Sequence, residues 1–298
     1  MSRLVRAELL KIRTTNTWWI FLLAFFLITA GVLAIWILVA NDTINNAVSL
    51  ANEQFVPPPP DSGMSPAEIE EQRRQFERDR DLDRTLVAQA ANIYTSGQYF
   101  GLMFVMLLGT LLMTNEFYHQ TATATFLTTP HRTRVILGKL GTAMLAAGFF
   151  WVLATVMNLA AGAIFFSAKG YDAQLGEWPV TRAVLLNGLA FLLWGVLGVG
   201  LGVLIRSQIG AVVTGTVAYV VGTFLITTIF QVLYFGLNWK WVLYPMVLWP
   251  GVASSVMISP EQPFPDSPAW WVGALVLVGY GILFGTVGTL ITRRRDIS

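Results

Sequence analysis

Six stretches of this chain, 18–40, 98–114, 135–167, 183–205, 209–235 and 270–291, are long, apolar and almost free of charge. About 20 consecutive apolar residues suffice to cross a bilayer as an α-helix. Inside hydrocarbon each backbone N–H and C=O must find its partner within the protein, so such a run folds as a helix. The pattern predicts an all-α polytopic membrane protein with six transmembrane helices. Composition agrees: 55% of the residues are hydrophobic and 12% charged, against about 25% charged in soluble domains. The first run follows Arg3, Arg6, Lys11 and Arg13 in the manner of a signal peptide. Its apolar core exceeds the roughly 7–15 residues of a signal sequence, so it reads as a retained anchor. Lys139 stands near the start of the third run, whose membrane portion is expected to begin after it.

Basic residues set the orientation, because loops on the cytoplasmic side carry an excess of Lys and Arg. With the N-terminus cytoplasmic, eleven of the 19 basic residues and three of the 17 acids fall on the inner side. The inner side is then +8 and the outer side −6, which together return the chain's net +2. Both termini, 1–17 and 292–298, are therefore expected inside, in an inner or plasma membrane of bacterial type.

Two outer segments stand out beside the short loop 168–182. In 41–96, residues 41–56 can prolong the first helix, with Ile44, Val48, Ala51 and Phe55 on one stripe. Pro57, Pro58, Pro59 and Pro60 end it, since proline donates no backbone hydrogen bond and favours extended chain. Ser65-Pro66-Ala67-Glu68 then opens a second helix with a capping box and proline at its first position. Glu70 with Arg74, Glu77 with Arg80 and Asp81 with Arg84 lie three or four residues apart, and Ile69, Phe76, Leu82, Leu86, Ala90 and Ile93 form an apolar stripe. An external helical hairpin is expected. In 236–269, Trp239, Trp241 and Trp249 alternate with Pro245, Pro250, Pro260, Pro263, Pro265 and Pro268. Tryptophan favours the membrane interface and proline interrupts helices, so this is read as an outer re-entrant or interfacial element before the last span.

Much chemistry has no residues to perform it. Cysteine is absent, which removes disulfides, thiolate metal sites and cysteine nucleophiles. Gly138-Lys139 lacks the upstream glycine of a phosphate-binding loop and is followed by Leu140, so ATP hydrolysis is not expected of this chain. His119 and His131 occur without HExxH or cysteine neighbours, and no metal or cofactor is expected. The spans hold neutral polar residues such as Asn158, Asn187, Thr214, Thr223 and Thr227, where ion-coupled carriers place charge. Interhelical hydrogen bonds are their expected use. Gly198 with Gly202, and Gly281 with Gly285, have the spacing that lets helices approach closely. Energy for any transport must come from another chain.

Between the second and third spans lies a polar, basic segment, 115–134. Thr121–Thr129 is short, polar and helix-compatible, Pro130 stops that helix, and Arg132, Arg134 and Lys139 lead into the next span. Glu116, Thr121, Leu127, Pro130, Arg132 and Lys139, at their spacing, resemble the segment after the second span in ABC type-2 permeases, the membrane subunits of ABCG-like type V exporters. Arg206-Ser207 with Gly210-Ala211 resembles that family's turn between the fourth and fifth spans, and Ala7-Glu8-Leu9-Leu10-Lys11 its basic amphipathic N-terminal helix. Gln120 stands where the family often has glycine.

The resemblance implies that this segment is a coupling helix, with Glu116, Thr121, Phe126, Pro130 and Arg132 at the contact with a separate ATPase. Two such ATPase subunits would bind the ATP and Mg, and a second permease copy, the same chain or a paralogue, would complete the pathway in the lipid bilayer. No nucleic acid enters this reading. Phe100, Phe104 and Met106 of the second span and Thr223, Thr227 and Phe230 of the fifth are the pathway residues so implied. Two other readings compete: a passive or ion-coupled carrier, and a membrane scaffold or sensor presenting the external hairpin.

Overall fold

Helix dominates the computed structural model, which describes residues 2–14, 17–119, 132–205, 207–237, 239–262 and 267–294, and no strand occurs among them. Twelve helices are named here: α1 (Ser2–Thr14), α2 (Thr17–Leu50), α3 (Pro66–Asp79), α4 (Leu82–Tyr94), α5 (Gln98–Tyr118), α6 (Arg132–Ala168), α7 (Trp178–Leu204), α8 (Gln208–Val217), α9 (Thr223–Leu237), α10 (Leu243–Met246), α11 (Pro250–Ile258) and α12 (Trp270–Arg294). A π-helical turn, Ala218–Gly222, joins α8 to α9 without a break. Six stretches are long and apolar enough to cross a membrane: Trp18–Leu50, Leu82–Tyr118, Thr133–Ala168, Trp178–Leu204, Gln208–Leu237 and Trp270–Ile291. This is the architecture of a multi-pass membrane protein.

The first helix does continue beyond its apolar run, to Leu50. Its 34 residues amount to about 51 Å at 1.5 Å per residue, well beyond a hydrocarbon core of about 30 Å. Ile44 and Ala47 in the extension are buried. The capping box at Ser65 forms as read: the Ser65 hydroxyl accepts from the Glu68 N–H at 3.3 Å, and the Ser65 N–H donates to the Glu68 carboxylate at 2.6 Å.

The charged helix that follows was expected to be one piece, and it is two. Asp81 interrupts it, its carboxylate accepting the Arg84 N–H at 3.1 Å as the cap of α4. A short acidic side chain that can bond the backbone locally favours such a start over an unbroken helix. The halves differ in kind. α3 buries no residue, and its Arg73 pairs with Glu77 at 3.2 Å and Arg74 with Glu70 at 3.4 Å. α4 buries Leu86, Ala90, Ala91, Ile93 and Tyr94 and packs on α2, α6 and α7. The Arg84 guanidinium pairs with Glu261 beyond α11, while its backbone N–H goes to the Asp81 cap.

α4 and α5 together make the second candidate span, broken at Thr95–Gly97. Gly97 takes φ 77° there, a left-handed conformation that glycine adopts without a Cβ penalty. The break is buried, and Asn158 of α6 donates to the Tyr94 and Ser96 carbonyls at 3.3 and 3.0 Å. Irregular backbone away from water is tolerated when enclosed by protein that satisfies it.

α5 and α7 form the closest pair of the bundle. A Cβ at Gly198 or Gly109 would collide with the facing backbone, at Met106 O and Gly195 O respectively, and one at Gly202 would lie 2.8 Å from Thr110 O. The Thr110 hydroxyl, 2.9 Å from Met106 O and 3.1 Å from Gly198 O, bonds across the same seam. Around it Phe25, Phe104, Phe150, Phe191 and Trp194 build the main core, with Phe25 edge-on to Phe150 at 4.8 Å between centroids. The proline- and tryptophan-rich stretch before α12 folds as the short helices α10 and α11, and α11 lies against α7 and α12.

Candidate functional site

Four ionised side chains meet where α1 crosses the ends of α5 and α6. Lys139, two turns inside α6, is fully buried. Its ammonium lies 3.1 Å from Glu8 of α1, 3.0 Å from Glu116 of α5 and 2.9 Å from the Leu112 carbonyl. Those three acceptors use the three N–H donors an ammonium has. Lys11, one turn after Glu8, reaches the same carboxylates at 2.8 and 3.0 Å. Among the described residues two acids and two bases thus alternate around the cluster, with Glu8 and Glu116 only 7% and 4% exposed.

The arrangement follows from helical spacing. Glu8 and Lys11 share a face of α1 because they are three residues apart. Glu116 and Lys139 stand on the helices that lead into and out of the polar segment, so their pairing fixes the distance between its two ends. Burial works against the charge on Lys11, yet the hydrogen bonds it donates to Glu8 and Glu116 outweigh that and hold its ammonium above the ordinary lysine value. Such a network is costly to break by halves, because removing one partner strands a buried charge.

Of the residues expected to couple to a motor, Glu116 is turned into this cluster. Thr121, Phe126 and Pro130, together with Gln120, lie outside the described residues, and Arg132 opens α6. Beside the cluster, Gln208 at the start of α8 donates to Asn115 at 3.0 Å, tying the fourth-to-fifth-span turn to the end of α5.

The matching family is described as "Protein of unknown function (DUF2705)", and the match covers residues 77–298. The chain belongs to the DUF2705 family. No curated protein matches it. The DUF2705 stretch contains Glu116 and Lys139, while Glu8 and Lys11 precede it.

The six expected pathway residues of this DUF2705 chain are not gathered in one place. Phe104 is buried in the aromatic core, 5.7 Å from Phe21 and 6.0 Å from Phe25 between centroids. Met106 lines an apolar cavity between α5, α7, α8 and α12, and Thr223 accepts a hydrogen bond at 3.0 Å from Trp249, which lines the same cavity. Thr227 spends its hydroxyl on the Thr223 carbonyl of its own helix at 2.7 Å. Phe100 and Phe230 are half-buried on α5 and α9.

Reading the sequence alone missed the cluster as a unit. Lys139 was placed at the edge of a span, and Glu8 was one of three acids on a basic side. The available signal was a single lysine inside an apolar run, which by itself asks for a named partner. Among the described residues no group of His, Cys, Asp and Glu has the makings of a metal site.

Proposed function

We propose that this DUF2705 protein is the membrane-spanning permease subunit of an ATP-driven ABC exporter of the type-2 kind. It carries no ATPase of its own, pairs with a second permease copy, and is driven by two copies of a separate ATPase. Both termini and the polar segment 115–134 face the cytoplasm, the α2 extension and α3 face outward, and α10 and α11 form the outer element before the last span. In this reading the segment is the coupling helix.

The observation that supports it best is the Glu8–Lys11–Glu116–Lys139 cluster. A segment that transmits a push must not be free to swing on its mounts. Here both helices leaving the segment are locked to each other and to α1 by buried charge-assisted hydrogen bonds, the stronger kind. Motion at the segment would then reach α5 and α6 as a unit, and α5 would pass it to α7 through the glycine seam.

The test is co-purification with the ATPase and measurement of its stimulated hydrolysis. Arg132→Ala, on the segment, is expected to weaken ATPase binding. Glu116→Gln, inside the mount, is expected to keep binding and lower stimulation roughly tenfold, the change that about 1.4 kcal/mol of lost coupling produces. Unchanged binding and hydrolysis in both variants would rule out the coupling role. ATP-independent solute movement by the chain alone in liposomes would favour a carrier instead.

A further inference from the structure

Between α8 and α12 the bundle leaves a cavity of about 250 Å³. Thr214 and Ala218 form one wall and Tyr280 and Phe284 the other, while Met106 of α5 and Trp194 of α7 lie at its floor. The deepest polar tips are already occupied elsewhere. Tyr219 donates its hydroxyl to the Tyr99 carbonyl at 2.7 Å, Trp194 its indole N–H to Ser254 at 2.8 Å, and Trp249 its indole N–H to Thr223 at 3.0 Å. What they turn toward the cavity is ring carbon.

A buried water needs two to four polar partners, and an apolar cavity of about 150 Å³ stays dry and takes a hydrophobic guest. By that standard this larger space is a site for hydrocarbon. Its shape is held by the π-helical turn at Ala218–Gly222, a feature that recurs at functional sites. The turn drives Tyr219 inward, edge-on to Trp194 at 4.8 Å and 89°. At its end Gly222 has no side chain, and the Trp249 ring fills the place where a Cβ would stand. Thr214 and Ala218, which line the cavity, are themselves exposed, as are Val217 and Val221 beside them on the same helical run. The cavity therefore opens on the same apolar surface that the candidate spans present to a membrane.

We propose that this cavity binds one acyl chain of a bilayer lipid, seated between the fifth and sixth candidate spans of a single chain. A slot between two spans that is continuous with their hydrocarbon-facing surface is filled by what surrounds it. Among the described residues no cationic side chain lines the slot to recruit a headgroup, so the tail is the recognised part. The site goes beyond the exporter reading and needs neither an ATPase nor a second permease copy.

The test uses the full chain in phosphatidylcholine vesicles doped with a phosphatidylcholine bearing a diazirine near one acyl terminus. After irradiation, adducts are mapped by mass spectrometry. Adducts are expected on Met106 and Trp194, which are 5% and 4% exposed and beyond the reach of lipid that merely surrounds the protein. Ala218→Phe, which sets a ring at the mouth, is expected to abolish them, and Val217→Phe, one position further out, to leave them. Thr214→Leu narrows the same mouth and serves if Ala218→Phe does not fold. Adducts confined to outward residues such as Val213 and Ile282 would overturn the proposal, as would floor adducts that the mouth variants do not alter. Floor labelling by a free diazirine alkane, with none from the lipid, would assign the site to a lipophilic solute and overturn it equally.

Discussion

α5 is held at its middle by glycine and at its end by charge, and the two attachments obey different rules. At the seam with α7 the contact is backbone against backbone, with Gly198 on the Met106 carbonyl and Gly109 on that of Gly195. Among the described residues no charged group takes part, and the one side-chain hydrogen bond across the seam, from Thr110 to the Gly198 carbonyl, is buried. Close van der Waals approach between small residues is what holds membrane helices together where hydrophobic burial gives no advantage over lipid. At the α1 crossing the contact is four long side chains, of which Lys139, Glu8 and Glu116 are buried charges that need one another and Lys11 is half-exposed. The seam is a fixed joint, whereas the cluster holds only while its buried charges are balanced, which suits a joint next to a segment that receives force.

The seam should fail without remedy. Gly198→Leu sets its Cβ against a backbone oxygen that no rotamer can move aside. The cost is expected above the roughly 1–3 kcal/mol of ordinary overpacking, read as loss of a monodisperse, cooperatively melting protein in detergent. Gly279→Leu on α12, where a Cβ meets nothing within 4 Å, should melt like the parent. Equal behaviour of the two variants would show that the seam is not the rigid joint described.

The cluster should fail with a remedy. Lys139→Met leaves Glu8 and Glu116 facing each other in a buried site, an expected loss of about 3–5 kcal/mol in thermal or denaturant unfolding. Adding Glu8→Leu and Glu116→Leu removes the stranded charges and should restore most of that stability, since apolar replacement of a buried ion network is often neutral or better. Recovery of the triple variant separates charge balance from shape. If the triple variant is no more stable than Lys139→Met, the cluster holds the helices by geometry and the contrast with the seam collapses.

The sequence disclosed these two joints unequally. Gly198 and Gly202 are four residues apart in one run, so the small-residue face of α7 could be read locally, and the seam lies where that spacing puts it. The spans were legible for the same reason, because length and absence of charge are properties of a stretch by itself. The partners of Lys139 were not, since Glu8 lies 131 residues away and only the folded crossing of α1 brings it near. α4 shows both cases. Its stripe of Leu86, Ala90 and Ile93 was visible, but that it faces α6 and α7 as well as the α2 arm of the hairpin depends on tertiary packing. The π-helical turn left no local mark in Ala218–Gly222, where valine, tyrosine and glycine fit an ordinary helix equally well. The 120–131 segment, on which the coupling proposal turns, lies outside the described residues.

The smallest expected effect tests how far the cluster responds to pH. Lys11 is its exposed member, with 52% of its side chain accessible, and its folded-state pKa is raised by the hydrogen bonds to Glu8 and Glu116 after burial has worked against it. A raised base adds stability that is fully present below its unfolded value, near 10.5, and is lost as pH climbs through the folded one. Between pH 6 and 9 Lys11 should therefore add no slope, and above about pH 10.5 its contribution should fade. Solvent screening keeps that contribution under about 1 kcal/mol and makes it salt-sensitive. Lys11→Met should flatten the alkaline limb of the melting curve, with little change at neutral pH beside the loss from Lys139→Met. An unaltered alkaline limb would mean that Lys11 shields the cluster without stabilising it, leaving Lys139 as the cation on which the joint depends.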